Sequence, residues 1–158
     1  MHRRAAVLFA ILALFSAGPA WSGDVTAFLA LPMPRDTWVG GYGAALTSTW
    51  FNLLSFEGEA ARFNGNTRDT GMTSFTASAF LSPPIGGLIP YAGIGYGVFR
   101  QTAASDSDLG RLRTVVAGVK VRIKGLLVLK GEYRKYQLSG QPLLPLDARL
   151  AAGAGIAF

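Results

Sequence analysis

The chain of 158 residues contains no cysteine, which excludes a disulfide framework and any thiolate-bound metal. Histidine is nearly as scarce. The one imidazole, His2, sits at the extreme N-terminus, so nothing downstream supplies a histidine general base. Charge is sparse, at 15% of residues, and the formal net charge of +6 is carried by cations scattered among carboxylates. No basic stripe or recognition motif accompanies it, so nucleic acid is not an expected partner. Also missing after Phe15 is any run near the ~20 consecutive apolar residues that a transmembrane helix needs. A membrane protein built from this chain must cross as a closed β-barrel, because only helices and closed barrels satisfy every backbone polar group in hydrocarbon.

Among the features that are present, the N-terminus has three parts. Met1-His2-Arg3-Arg4 is basic, Ala5 to Phe15 is apolar, and Ser16-Ala17-Gly18-Pro19-Ala20-Trp21-Ser22 adds small residues and a turn former. This layout predicts a cleaved secretory signal peptide over residues 1–22, too short to span a bilayer as a helix. Ala20 and Ser22 suit a cut before Gly23, and a cut after Ala20 is the alternative. Residues 23–158 then form one domain, with a net charge of about +4 once Arg3 and Arg4 leave.

The C-terminal stretch alternates. Leu150, Ala152, Ala154, Ile156 and Phe158 share one parity and are apolar, while Asp147, Arg149, Ala151, Gly153, Gly155 and Ala157 share the other. A β-strand turns such alternation into one greasy face and one polar or small face. Similar segments recur, and we predict eight strands: Asp24–Leu31, Trp38–Thr47, Phe51–Phe63, Thr70–Ser82, Leu88–Gln101, Leu112–Ile123, Leu126–Leu138 and Asp147–Phe158. Their lengths are close to the ~9–11 residues of a tilted membrane-crossing strand. Short connections (Ser48–Trp50, Pro83–Gly87, Lys124-Gly125) alternate with longer polar ones (Pro32–Thr37, Asn64–Asp69, Thr102–Arg111, Ser139–Leu146). The fold class implied is all-β, an eight-stranded antiparallel up-and-down transmembrane barrel.

Charge parity sharpens the prediction. Glu57 and Glu59 lie opposite Leu54, Phe56, Gly58 and Ala60; Lys130, Glu132 and Arg134 lie opposite Leu127, Leu129, Gly131 and Tyr133. Lys120 and Arg122 lie opposite a row of Val, Ala and Ile, and Asp147 and Arg149 opposite the terminal apolar row. A Lys or Arg at the lipid midplane costs about 2–4 kcal/mol, so the charged rows belong inside. The interior of an eight-stranded barrel is just wide enough to be filled by side chains. Glu57, Glu59, Glu132 and Asp147 are therefore expected to pair with Lys120, Arg122, Lys130, Arg134 and Arg149. Gly93, Gly95 and Gly97 would make room for these long side chains, and their spacing is that of a strand rather than of a nucleotide loop.

Two aromatic belts are expected at the membrane interfaces, one from Trp50, Phe51, Phe80 and Phe158, the other from Trp38, Phe63, Phe99, Tyr133 and Tyr136. Arg100, Arg111, Arg113 and Lys135 fall on the outward parity. Either they snorkel at the loop-end rim or a β-bulge turns them inward. Glu57 and Glu59 read as ion-pair partners rather than as an acid–base pair, and Asp106-Ser107-Asp108 lacks the ligand count of a calcium loop. No catalytic, cofactor-binding or metal-ligating residue emerges, and no cofactor is expected.

Several strings carry a resemblance: Val25-Thr26-Ala27-Phe28, Leu54-Ser55-Phe56-Glu57-Gly58-Glu59, Pro90-Tyr91-Ala92-Gly93-Ile94-Gly95-Tyr96-Gly97, Lys130-Gly131-Glu132-Tyr133-Arg134 and Gly155-Ile156-Ala157-Phe158. With them the chain resembles the small outer-membrane β-barrel group that includes the OmpA transmembrane domain and the OmpX-like proteins. The resemblance implies a bacterial outer-membrane location, contact with outer-membrane lipids, and insertion by the barrel-assembly machinery, which would read the last strand through Ile156 and Phe158. A monomer is expected. No peptidoglycan-binding domain follows Phe158, so cell-wall tethering is not expected. Eight-stranded barrels that modify lipid A rely on a histidine near a serine, which this chain lacks after His2. The function expected is a structural or envelope-interaction role with a plugged polar interior and no catalysis. The alternatives are a low-conductance pore for small ions or solutes and, third, a soluble lipocalin-like periplasmic carrier.

Overall fold

A computed structural model describes residues 21–158. The leader expected over residues 1–22 therefore lies outside the described residues, except for Trp21 and Ser22. These two already belong to the first strand, opposite Trp50 and Thr49. The chain forms β1 (Trp21–Met33), β2 (Trp38–Trp50), β3 (Leu54–Gly65), β4 (Thr70–Leu81), β5 (Leu88–Ala103), β6 (Asp106–Ile123), β7 (Leu127–Ser139) and β8 (Ala148–Ala157). Each strand pairs antiparallel with its sequence neighbours, and β8 closes on β1 to complete the barrel. Closure leaves no unpaired edge, the condition for burying strand backbone in lipid. At the seam Gly23 and Phe158 exchange two backbone hydrogen bonds of 2.9 Å.

The alternation in sequence becomes an inside and an outside. Leu29, Ile94, Val115 and Phe75 stand on the outer wall, 59–74% exposed, whereas Thr26, Glu57, Lys130 and Arg149 are buried in the bore. An oily exterior around a charged centre is the reverse of a lipocalin, so the carrier alternative does not fit this fold. The register runs without interruption through β5, β6 and β7. Arg100, Arg111, Arg113 and Lys135 accordingly stay on the outer wall, and the bulge explanation for them falls away. The one register shift along β2–β3 lies between Trp38 and Gly40; it carries Trp38 to the inner side, where it is 1% exposed.

Two connections differ from expectation. Ser48-Thr49-Trp50 belongs to β2, and the turn is Phe51–Leu53, with Phe51 and Asn52 at φ of 53° and 54°. Paired left-handed residues match the right-handed twist of a tight hairpin. The expected loop Thr102–Arg111 is almost all strand, since β5 runs to Ala103 and β6 starts at Asp106. This hairpin tip has no apolar row to reveal it, because nothing apolar covers either of its faces.

Candidate functional site

Among the described residues, buried ionisable side chains converge in the barrel bore. Eight charged residues are buried in it: Asp24 on β1, Glu57 and Glu59 on β3, Lys120 on β6, Lys130, Glu132 and Arg134 on β7, and Arg149 on β8. Four are acidic and four basic, so the buried set is formally neutral. Each reaches the bore because its parity opposes an apolar outer row.

The contacts form a continuous chain along the barrel axis. Toward the short-turn end Lys120 Nζ donates to both oxygens of Asp24, at 2.9 and 2.8 Å, and to Thr47 Oγ1 at 2.8 Å. The Thr47 hydroxyl in turn donates to Glu57 at 3.4 Å. Lys130 Nζ bridges Glu57 and Glu132 at 2.7 and 2.9 Å. Arg134 spans Glu57 at 2.8 Å, Glu59 at 3.2 Å and Glu132 at 3.0 Å, and its other nitrogen reaches Ser78. Arg149 completes the set against Glu59 and, at 2.7 Å, Glu132, with its guanidinium 4.5 Å from the centre of the Phe28 ring. Tyr91 donates its hydroxyl to Glu132 at 2.9 Å, and its ring lies under both lysines. With Thr47 from β2, Ser78 from β4 and Tyr91 from β5, every strand contributes to this network. Charges buried this deeply persist only when paired and hydrogen-bonded.

Two glycines permit the arrangement. A Cβ at Gly118 would collide with the Tyr91 ring, and one at Gly43 with the Phe28 ring. Gly93, Gly95 and Gly97 do line the inner side, yet what approaches them is the neighbouring strand β4 and, at Gly95, Thr114 of β6, rather than a long charged side chain.

Below the network, toward the short turns, hydroxyls take over. Ser55 links Thr49 at 2.8 Å and Ser82 at 2.6 Å. Above it, toward the longer loops, the bore is apolar. Phe63, Phe99, Met72, Leu112, Trp38 and Tyr136 are buried together, and Leu144 and Leu146 of the β7–β8 loop fold in on top of them. The loop is pinned there by Trp38 Nε1 donating to Pro145 O at 2.7 Å and by Gln101, which donates to Leu144 O at 2.8 Å and accepts from Leu144 N at 3.1 Å. The bore thus holds an ionic mid-section under an apolar stopper.

Several expected residues stand elsewhere. Asp147 does not join the network: it lies exposed just ahead of β8, where the chain is still entering the barrel wall, so the parity of the strand does not yet govern it. Asp24, which opens the first predicted strand with no second charge beside it to mark an inner row, supplies the fourth carboxylate instead. Arg122 is half-buried at the short-turn end, donates to Ser22 Oγ at 3.3 Å, and has no carboxylate partner among the described residues. The loop-end belt is also corrected. Trp38, Phe63, Phe99 and Tyr136 form the stopper inside, and Phe80 is buried as well; of that belt Tyr133 alone faces outward. The signal was present, for Phe63 shares parity with Glu57 and Glu59, and Tyr136 with Glu132 and Arg134. Ile156 and Phe158 are on the outer wall, 59% and 63% exposed.

No protein-family model matches the chain, and no curated protein sequence matches it. Solved structures do. The N-terminal β-barrel domain of Pseudomonas aeruginosa OprF superposes with a TM-score of 0.67 at 15% identity, covering 87% of this chain and 97% of that one. Neisserial surface protein A gives 0.66 at 17% identity, covering 90% and 100%. Ail, the attachment invasion locus protein of Yersinia pestis, gives 0.55 at 16% identity, covering 89% and 100%. At these identities the likeness is one of architecture, and the chain has the closed eight-stranded barrel fold of these small outer-membrane proteins.

Proposed function

We propose that this protein is an integral barrel of the bacterial outer membrane with a structural or envelope-interaction role, a filled interior and no catalysis. One observation carries the reading: the wall is mostly apolar outside while the centre is a network of ion pairs with no net charge. Water would favour the opposite arrangement, and hydrocarbon favours this one. The fold shared with OprF, NspA and Ail supports the location. Against a pore stands the double filling of the bore, ionic in the middle and apolar above. Against catalysis stands the lack of an imidazole after His2; Glu57, Glu59 and Glu132 spend their oxygens largely on cations. The partners proposed are membrane lipids and, during insertion, the assembly machinery meeting Ile156 and Phe158; the protein works as a monomer. The test is extraction and migration. The barrel is expected to stay with membranes through carbonate washing and to run as a compact SDS-resistant species that shifts on boiling. Release by carbonate would sink the reading.

A further inference from the structure

Every carboxylate of the described residues lies either in the bore or in and beside the loops: Asp24, Glu57, Glu59 and Glu132 inside, Asp36, Asp69, Asp106, Asp108 and Asp147 at the loop end. The outer wall instead carries five exposed cations, Arg62 on β3, Arg100 on β5, Arg111 and Arg113 on β6, and Lys135 on β7. All five stand in the loopward half of their strands, and none has an ion-pair partner among the described residues. In an outer-membrane barrel, such a one-sided belt would turn unpaired charge toward the headgroups of a single leaflet.

Register places two of these cations at the end of a groove. Ala79, Ile94, Val115 and Lys135 form one row across β4–β7, and Ala77, Tyr96, Arg113 and Gln137 form the next. The small residues of β4 leave a furrow between Phe56 and the Tyr96 row, with a volume of about 910 Å³. It is apolar along β4 and β5 and basic where it meets β6 and β7. A second, more polar cleft of about 290 Å³ holds the row Arg62–Thr73–Arg100 together with Arg68 and the carboxylate of Asp69.

We propose that the loopward cation belt, Arg113 with Lys135 first, binds the phosphate of a lipid in the loop-side leaflet, whose acyl chain lies in the groove over Ala77 and Ala79. The inference rests on the outer-membrane reading. Arginine forks and lysine ammonium groups are the usual partners of phosphate oxygens, and the apolar furrow adjoining the pair distinguishes a lipid from a free anion.

The test uses the full barrel refolded into phosphatidylcholine vesicles doped with bisphosphorylated lipid A, with the same lipid lacking its phosphates, or supplied with inorganic phosphate alone. Lipid retained on the protein is read by mass spectrometry after gentle extraction, beside the urea midpoint of unfolding. The bisphosphorylated lipid is expected to be retained and to raise the midpoint. Arg113→Gln with Lys135→Gln should lower retention roughly tenfold, while Lys124→Gln at the short-turn end leaves it unchanged. Equal retention of the phosphate-free lipid, an unaltered result with the double substitution, or saturation by inorganic phosphate would each overturn the proposal. If the double variant does not fold, the comparison of the two lipids on the unsubstituted protein still decides. A chain that forms no SDS-resistant species in any vesicle would instead remove the outer-membrane reading, and this proposal with it.

Discussion

Arg134 bears the most weight of any single side chain, because three carboxylates converge on its guanidinium. Removing it leaves Glu57, Glu59 and Glu132 with too little compensating charge in a place water scarcely reaches. Arg134→Met is expected to cost about 3–5 kcal/mol, read as a lower urea midpoint for the folded barrel in vesicles. Lys120 offers a contrast, since its one carboxylate is Asp24. Lys120→Met alone should be costly, whereas adding Asp24→Asn should recover most of the loss, because the stranded charge disappears; a double-mutant cycle checks this. Glycines divide by face in the same way. Gly118→Val drives a side chain into Tyr91 and should cost about 1–3 kcal/mol. Gly58 has open space where its Cβ would be, so Gly58→Ala should stay within about 0.5 kcal/mol of the unsubstituted protein.

Among the elements, the β7–β8 connection is the one whose role was hidden. Its composition, Gly140-Gln141-Pro142-Leu143-Leu144-Pro145-Leu146, reads as an ordinary surface loop. In the fold, Leu144 and Leu146 cap the bore and Trp38 holds Pro145 from below. Trp38→Phe keeps an aromatic ring but loses the indole N–H and part of the buried volume, so the loop should loosen by at least about 0.5–1.5 kcal/mol, seen as faster protease nicking between Gly140 and Asp147. β1 offers a different expectation. Trp21 and Ser22 pair with β2, and Ser22 accepts from Arg122. A cut after Ala20 preserves both, so intact-mass analysis of the exported protein is expected to find Trp21 first, in place of Gly23.

At the scale of the whole molecule the decisive property is neutrality inside and asymmetry outside. Four buried acids cancel four buried bases, so the packed mid-section carries no net charge, and the apolar stopper closes its loop end. Planar-bilayer recording is therefore expected to be silent, and to remain silent when the β7–β8 loop is shortened, since the ionic mid-section still fills the barrel. Steady conductance from the unsubstituted protein would refute the filled interior.

Much of this was legible in one dimension because a strand has a period of two and a membrane punishes charge. Glu57, Lys130, Glu132 and Arg134 could be assigned to the interior without coordinates, since no other register keeps ions out of hydrocarbon. Parity says which side a residue faces, but it says neither how far along the axis it stands nor where a strand begins. Those depend on the stagger of eight strands around a closed wall and on loops folding back into it. Hence Asp147 fell outside while Asp24 stood inside; Phe63 and Tyr136, whose parity already pointed inward, became a stopper only because the β7–β8 loop folds onto them. The pairing of Glu59 with Arg149, ninety residues apart, exists only because closure brings β8 within reach of β3 across the bore.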